Sequence, residues 1–230
     1  MQLLIDGMTV TVIRKPIKHM NLRVLPPDGA IQIAAPAWLP QENIVRFVRE
    51  KRSWIERHQQ KLRARPAPTS PDYSDGQTVY LWGESFRLRL EPAARGRNAF
   101  LREQEVVLQV HPGDTPAQRE ALLNSFYRTQ LDAQIRARLP YWEEKTGLHP
   151  ESVQIKNMKT RWGTCNTAAR RIWLNLQLAK QPPVCLDYVL AHELTHLRHP
   201  DHGKGFWAFL LRVMPDCKAV RKALGENRFQ

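Results

Sequence analysis

The chain has 230 residues, of which 42% are hydrophobic and 25% charged, and its formal net charge at pH 7 is +13. This composition predicts a globular protein with one sizeable core or two small ones. The lack of a long apolar run excludes a helical membrane span, so we expect a cytoplasmic location. The three cysteines are widely spaced and form no CxxC pair. They argue against both a disulfide framework and a cysteine-rich zinc site.

The first third of the chain contains three segments in which polar and apolar residues alternate. They are TVTVI at 9–13, NLRVL at 21–25 and AIQIA at 30–34. Pro, Asp and Gly residues separate these segments. Alternating segments bounded in this way predict short, half-buried antiparallel strands.

A single helix is predicted after Pro40, because apolar residues recur there at helical spacing. They are Ile44, Phe47, Val48, Ile55 and Leu62. Residues 45–65 also hold eight Lys or Arg against two Glu. A positive charge of this kind attracts nucleic acid or another polyanion. Since no nucleic-acid-binding motif accompanies it, we interpret it first as a solvated helix face.

The next segment, 63–76, contains three prolines and predicts the end of that helix and one site for a boundary between two lobes. Alternation then returns, which predicts further strands. The alternating segments are TVYLW at 78–82, SFRLRL at 85–90 and EVVLQV at 105–110, and EPAARGRN at 91–98 resembles a turn.

Apolar residues recur every three or four positions from Pro116 to Trp142 and predict one long amphipathic helix that ends before Gly147. The remainder predicts a strand (VQIKNM, 153–158), a loop (KTRWGTCNTAA, 159–169), a second strand (RRIWLNLQL, 170–178) and a helix that starts at QPP, 181–183. The sequence gives no sign of an internal repeat.

The stretch HELTHLRHPDH, 192–202, carries the strongest chemical signal. His192 and His196 are four residues apart, so on a helix both imidazoles reach one ion. Glu193 lies about 100° around the helix from His192. Its carboxylate can therefore reach a metal-bound water without being a metal ligand. His202 is the natural third ligand, because Pro200 ends the helix soon after His199 and the chain then turns back.

Three histidine ligands leave the fourth position of a tetrahedral zinc site to water, as in catalytic zinc enzymes. The zinc activates that water, and Glu193 takes its proton and passes it to the leaving amine. A stabiliser of the oxyanion is also needed. Arg161, Tyr188 and His199 are the candidates for substrate or transition-state contacts. His199 has the alternative of simple exposure at the helix end.

Two carboxylates near the motif, Asp187 and Asp201, are candidates to orient the ligand rings. Arg161 itself belongs to the RWGTC segment, 161–165. Two interpretations of that segment stay open: a turn that Gly163 permits and Trp162 anchors, or direct catalysis by Arg161 or Cys165.

Three stretches resemble the YgjP-like metallopeptidases, which are relatives of the SprT-like zinc proteases: MKTRWGTCN (158–166), IWLNLQL (172–178) and LDYVLAHELTHLRHPDHGKGFW (186–207). A weaker likeness spans nearly the whole chain. The resemblance implies zinc ligation by His192, His196 and His202 and a catalytic base at Glu193. Related zincins hold an extended peptide along a sheet strand, a role that the resemblance assigns here to residues 170–178.

We therefore expect an α+β fold. A β-rich N-terminal lobe with one basic helix, 1–114, precedes a zincin-like metallopeptidase lobe, 115–230, with an active-site helix and a small sheet. The expected function is a zinc-dependent peptidase that acts on peptides or unfolded protein. The alternatives are a DNA-associated protease and a non-catalytic polyanion-binding module with a structural zinc.

Overall fold

The structure is a computed structural model that describes residues 1–25, 28–63 and 72–226. These residues form a mixed α+β fold with six α-helices and three small sheets. They divide into two compact units, Met1–Ser70 and Pro71–Gln230. Within the described ranges, no helix is both long enough and apolar enough to cross a membrane.

The first unit is a four-stranded sheet with two helices. Its strands are β1 (Gln2–Ile5), β2 (Met8–Lys15), β3 (Asn21–Leu25) and β4 (Ala30–Pro36), in the order β1-β2-β4-β3. The three predicted strands are confirmed, and β1 is an addition. The expectation of purely antiparallel pairing is wrong, because β2 and β4 pair in parallel.

The single helix predicted after Pro40 is two helices, α1 (Gln41–Glu50) and α2 (Arg52–Arg63), which break at Lys51. The predicted apolar face is correct, since Ile44, Val48 and Ile55 are fully buried. Part of the basic charge is compensated, because ion pairs join Arg46 to Glu50, Arg49 to Asp6 and Arg52 to Glu56.

The second unit begins with another four-stranded sheet: β5 (Thr78–Leu81), β6 (Glu84–Pro92), β7 (Asn98–Arg102) and β8 (Glu105–Val110), in the order β5-β6-β8-β7. Both the order and the pairing senses repeat those of the first sheet. The prediction of no internal repeat concerned the sequence, and this repetition is one of backbone topology. The two copies share backbone topology and a first turn with two positive φ angles, at Asp6-Gly7 and Trp82-Gly83, which local side-chain patterns do not reveal.

The stretch 91–98 was predicted as a turn, whereas β6 extends into it as far as Pro92 and β7 begins at Asn98. The expected lobe boundary at 114/115 also falls inside the second unit, between β8 and the following helix. The physical reason is a shared core: Val79, Leu88 and Leu108 of this sheet pack in one cluster with Leu123. The units instead divide in the proline-rich stretch, of which residues 64–71 lie outside the described residues.

The long predicted helix is confirmed as α3 (Pro116–Thr146). A capping box between Thr115 and Gln118 starts it, and Gly147, with φ 68°, ends it. Arg138 and Trp142 on this helix donate hydrogen bonds to the two carboxylate oxygens of Asp187, at 2.7 and 2.9 Å. Asp187 therefore joins α3 to the helix that carries the histidines.

The rest of the unit contains the elements that position the site. They are β9 (Ser152–Lys156), β10 (Gly163–Asn166), β11 (Arg171–Asn175), a 3₁₀ helix (Leu176–Lys180), α4 (Pro183–His196), α5 (Lys204–Val213) and α6 (Cys217–Glu226). The loop predicted at 159–169 contains β10, and the strand predicted at 170–178 already ends at Asn175.

The third sheet has the order β10-β11-β9. The strand that was expected to hold substrate, β11, is its central strand and pairs with β10 on one side and β9 on the other. Its backbone groups are already used, so β11 has no edge to offer a peptide. The edge on the side of α4 belongs to β10.

Candidate metal centre

The helix α4 carries the HELTH motif and is mostly buried. Pro183 stands in its first turn, which confirms the predicted helix start at QPP. The helix ends at His196, three residues before the predicted stop. The backbone N–H groups of Arg198 and His199 both donate to the carbonyl of Thr195, which tightens the chain into a turn before Pro200 is reached.

The structure brings the three predicted ligand rings together. Nε2 of His192 lies 3.0 Å from Nε2 of His202, and one ligand atom from each of His192, His196 and His202 lies within 4.8 Å of the others. Within the described part of the chain, these three residues form the group that could hold a metal ion. The turn 197–203 returns His202 to the helix face, as the sequence predicted.

Hydrogen bonds at the opposite ring nitrogens orient two of the ligands. Nδ1 of His196 donates to the carbonyl of His199 at 3.1 Å, since a carbonyl oxygen can only accept. Nδ1 of His192 lies 3.4 Å from the Tyr188 hydroxyl. With Nδ1 protonated, the ring of His196 keeps a free electron pair on Nε2, the arrangement that metal ligation needs.

Phe206 of α5 packs against all three imidazoles. Its ring centre lies 4.9 Å from that of His192, 4.8 Å from that of His196 and 4.7 Å from that of His202. The side chain is 1% exposed. It therefore forms an apolar surface that holds the three rings in place. The sequence did not predict this role, because no residue pattern within 186–202 indicates it.

Burial favours the uncharged form of the rings. Burial, followed by the neighbouring charges of His196 and His202, lowers the pKa of His192 to about 3. Burial also lowers the pKa of His196. Both imidazoles are thus neutral at physiological pH, which is the protonation state that binds a metal.

Glu193 lies beside the cluster in a pocket of about 360 Å³, which Arg161, His192 and Arg221 also line. The residue is 4% exposed. Burial raises the pKa of its carboxyl group to about 8, and the charge of Arg161 acts in the opposite direction. Arg221 on α6 was not among the predicted site residues.

The close approach of β10 to α4 explains the glycine of RWGTC. A Cβ on Gly163 would lie 2.5 Å from Glu193 Oε1 and 2.8 Å from Val189 Cγ1. Real Cβ atoms essentially never come so close, so only glycine leaves room for the carboxylate in its present position.

The loop before β10 is held by Asn175, which is fully buried. Its side-chain amide donates to the carbonyls of Met158 and Arg161 at 2.8 and 2.6 Å, and its backbone N–H donates to the carbonyl of Trp162 at 2.8 Å. Asn175 thus fixes the backbone from which Arg161 reaches the pocket. The sequence offered one signal of this role, a polar residue inside the apolar segment IWLNLQL.

The remaining predicted residues lie apart from the ligand cluster or act differently than expected. The ring of His199 packs on Phe209, with ring centres 5.8 Å apart, and its carbonyl is the group that contacts His196. The two carboxylates expected to orient the ligands do not do so. Asp187 is engaged by α3, and Asp201 accepts a hydrogen bond from the backbone N–H of Gly203 at 3.2 Å, which shapes the turn.

Three converging imidazoles beside a buried glutamate form a group that could hold a metal ion. Residues 18–227 match the model of the YgjP-like metallopeptidase domain, and the chain belongs to this family. A metal ion is therefore implied, and the donor set fits one.

A solved structure, the metallopeptidase zymogen abylysin of Pyrococcus abyssi, is 20% identical, with a TM-score of 0.37, over 40% of this chain and 94% of that chain. The comparison with curated proteins finds no match.

Replacing Phe206 by Leu should weaken zinc binding about tenfold, because the rings lose the surface that orients them. Phe209→Leu is the matched control, since Phe209 is also buried on α5 and contacts His199 but none of the three cluster rings. Zinc affinity is measured by competition with a chromogenic chelator. Equal losses in the two variants would contradict an orienting role for Phe206.

Proposed function

We propose that this chain is a zinc-dependent peptidase in which His192, His196 and His202 hold the metal and Glu193 is the general base. The observation that carries the proposal is the convergence of three imidazoles with a buried glutamate in the adjoining pocket. Zinc favours nitrogen donors, and three protein ligands leave the open position typical of catalytic sites. A structural zinc would instead be closed by a fourth protein donor.

His192, His196 and His202 would hold the zinc, and the bound ion would supply an activated water and polarise the carbonyl of the scissile bond. Glu193, in the ionised form that the charge of Arg161 favours, accepts the proton of the attacking water and delivers it to the leaving amine. Of the three predicted candidates for an oxyanion contact, Arg161 and Tyr188 line the same pocket as Glu193 and His199 does not. Arg161 is the better placed of the two for stabilising a negative charge, because it is a cation. The Tyr188 hydroxyl lies at His192, and the His199 ring lies against Phe209.

The proposed substrate is a peptide or an unfolded protein segment bound along β10. This strand is the sheet edge next to α4, and an extended peptide gains main-chain hydrogen bonds there with little demand on its sequence. Gly163 stands at the start of β10, where an added Cβ would lie 2.5 Å from Glu193 Oε1. A peptide paired with this edge would therefore pass beside the proposed base.

The DNA-associated protease and the polyanion-binding module remain predictions from the net charge. Ion pairs with acidic residues already compensate several cations of α1 and α2. This compensation makes those helices a weaker basis for nucleic-acid binding than the sequence suggested, so the peptidase is our preferred function.

Glu193→Gln should retain stoichiometric zinc and lower the rate of peptide cleavage at least about 100-fold, because an amide cannot accept the proton of the water. His192→Ala should lose the zinc. Metal content is measured by atomic emission and cleavage with a quenched fluorescent protein substrate. Undiminished cleavage by a homogeneous Glu193→Gln protein would exclude the proposed base.

Gly163→Ala should leave zinc content unchanged and lower the rate of cleavage at least about tenfold, because the new methyl group displaces the Glu193 carboxylate. Gly96→Ala serves as the control, since a Cβ there meets no atom within 4 Å. Cleavage by Gly163→Ala at the rate of the control would show that the contact with β10 does not position Glu193.

A further inference from the structure

A second cavity, the α5–α6 groove, opens next to the histidine cluster and has a volume of about 1080 Å³. His202 is one of its lining residues. Four cationic side chains line it as well, and no acidic one does: the four are Lys204, Lys218, Arg221 and Lys222. The groove is therefore strongly electropositive beside the proposed metal centre.

Among the described residues, the positive charges of the groove have no ion-pair partners. All four side chains are exposed, and none forms an ion pair with a carboxylate of the described residues. Lys218 and Lys222 lie one turn apart on α6, where like charges repel. An anionic occupant would relieve this repulsion.

The α5 side of the groove is apolar. Trp207 and Leu211 are half-buried there, and Ala208 lies between them. An occupant that fits both sides must combine negative charge with an aliphatic surface. A peptide with acidic and aliphatic side chains has this combination.

The groove adjoins the pocket that holds Glu193, because Arg221 and Gly225 line both. The Arg221 guanidinium lies 5.0 Å from the centre of the Trp207 ring. A polypeptide bound beside Glu193 would therefore reach the groove by passing Arg221 and Gly225, neither of which is acidic.

We propose that the α5–α6 groove selects peptide substrates that carry acidic side chains next to aliphatic ones near the scissile bond. The inference rests on the proposed peptidase function and adds a substrate class to it. Lys218, Arg221 and Lys222 attract the carboxylates, and Leu211 and Ala208 contact the aliphatic side chains.

Single-stranded nucleic acid fits the groove less well. Its non-specific binding depends on bases that stack on exposed aromatic faces. Apart from His202, the aromatic residue that lines the groove is Trp207. Its ring is flanked by the Arg221 guanidinium and by the rings of Phe206 and His202, whose centres lie 5.4 and 6.1 Å away. The ring thus contributes an apolar wall more than a stacking surface.

The test uses the zinc-loaded full chain with Glu193→Gln, so that binding is measured without turnover. The probe is a fluorescein-labelled peptide of alternating Glu and Leu with a blocked C-terminus, and its counterpart replaces every Glu by Gln. We expect the acidic peptide to bind about tenfold more tightly and to lose this advantage at high salt. Equal affinity for the two peptides would overturn the inference.

Charge reversals locate the binding site. Lys218→Glu and Lys222→Glu, added separately to the same background, should each weaken binding of the acidic peptide about fivefold. Arg95→Glu is the control, because it makes the same change in net charge at an exposed turn residue outside the groove. A loss as large in the control would show that net charge alone attracts the peptide, which also overturns the inference.

Two further probes test whether the groove binds negative charges other than acidic side chains, namely a C-terminal carboxylate and the phosphates of a nucleic acid. The Gln-Leu peptide with a free C-terminal carboxylate should bind as weakly as its blocked form, because the groove recognises side chains. An oligothymidylate that binds more tightly than the acidic peptide, and is weakened by Lys222→Glu, would make the groove a nucleic-acid site and contradict the proposal.

Cleavage of the same two peptides by the zinc-loaded wild-type chain distinguishes the two proposals. Selective binding without cleavage would support the groove and count against the peptidase. Cleavage of both peptides with equal kcat/KM, together with equal binding, would leave the peptidase standing and overturn the selectivity.

Discussion

The site depends on holding three imidazole rings with their Nε2 atoms turned toward one point. Such an arrangement places electron pairs opposite one another and is unfavourable unless the rings are fixed by other contacts. Here the His199 carbonyl and the Tyr188 hydroxyl engage the opposite nitrogens, and Phe206 supports all three rings. Burial keeps His192 and His196 uncharged. These contacts thus hold the three rings in the arrangement that metal ligation requires.

A second constraint links this centre to the sheet. Glu193, the proposed base, is buried, and the edge strand β10 approaches it closely at Gly163. Asn175 fixes the preceding loop, so that Arg161 and Glu193 line one pocket. The pocket adjoins the cationic α5–α6 groove through Arg221 and Gly225, which line both. In the proposed function, an extended chain paired with β10 would pass Glu193 and reach this groove.

Sequence reasoning succeeded where spacing alone fixes geometry. The four-residue interval places His192 and His196 on one helix face. Pro200 and Asp201 predict the turn that brings His202 back to this face. It failed where contacts are distant in sequence. Gly163, Asn175 and Phe206 owe their roles to partners on other elements, and the short strand β10 has too few apolar residues to show alternation. The parallel pairs and the repeated sheet topology also depend on long-range pairing, which side-chain periodicity does not encode.

The central claim is an open, three-histidine zinc centre. X-ray absorption at the zinc edge of the zinc-loaded full chain tests it most directly, because imidazole, sulfur and water ligands give distinct spectra. The account predicts three imidazole nitrogens at about 2.0–2.1 Å and one oxygen from water. A sulfur ligand, or a fourth imidazole from His199 that closes the site, would contradict it.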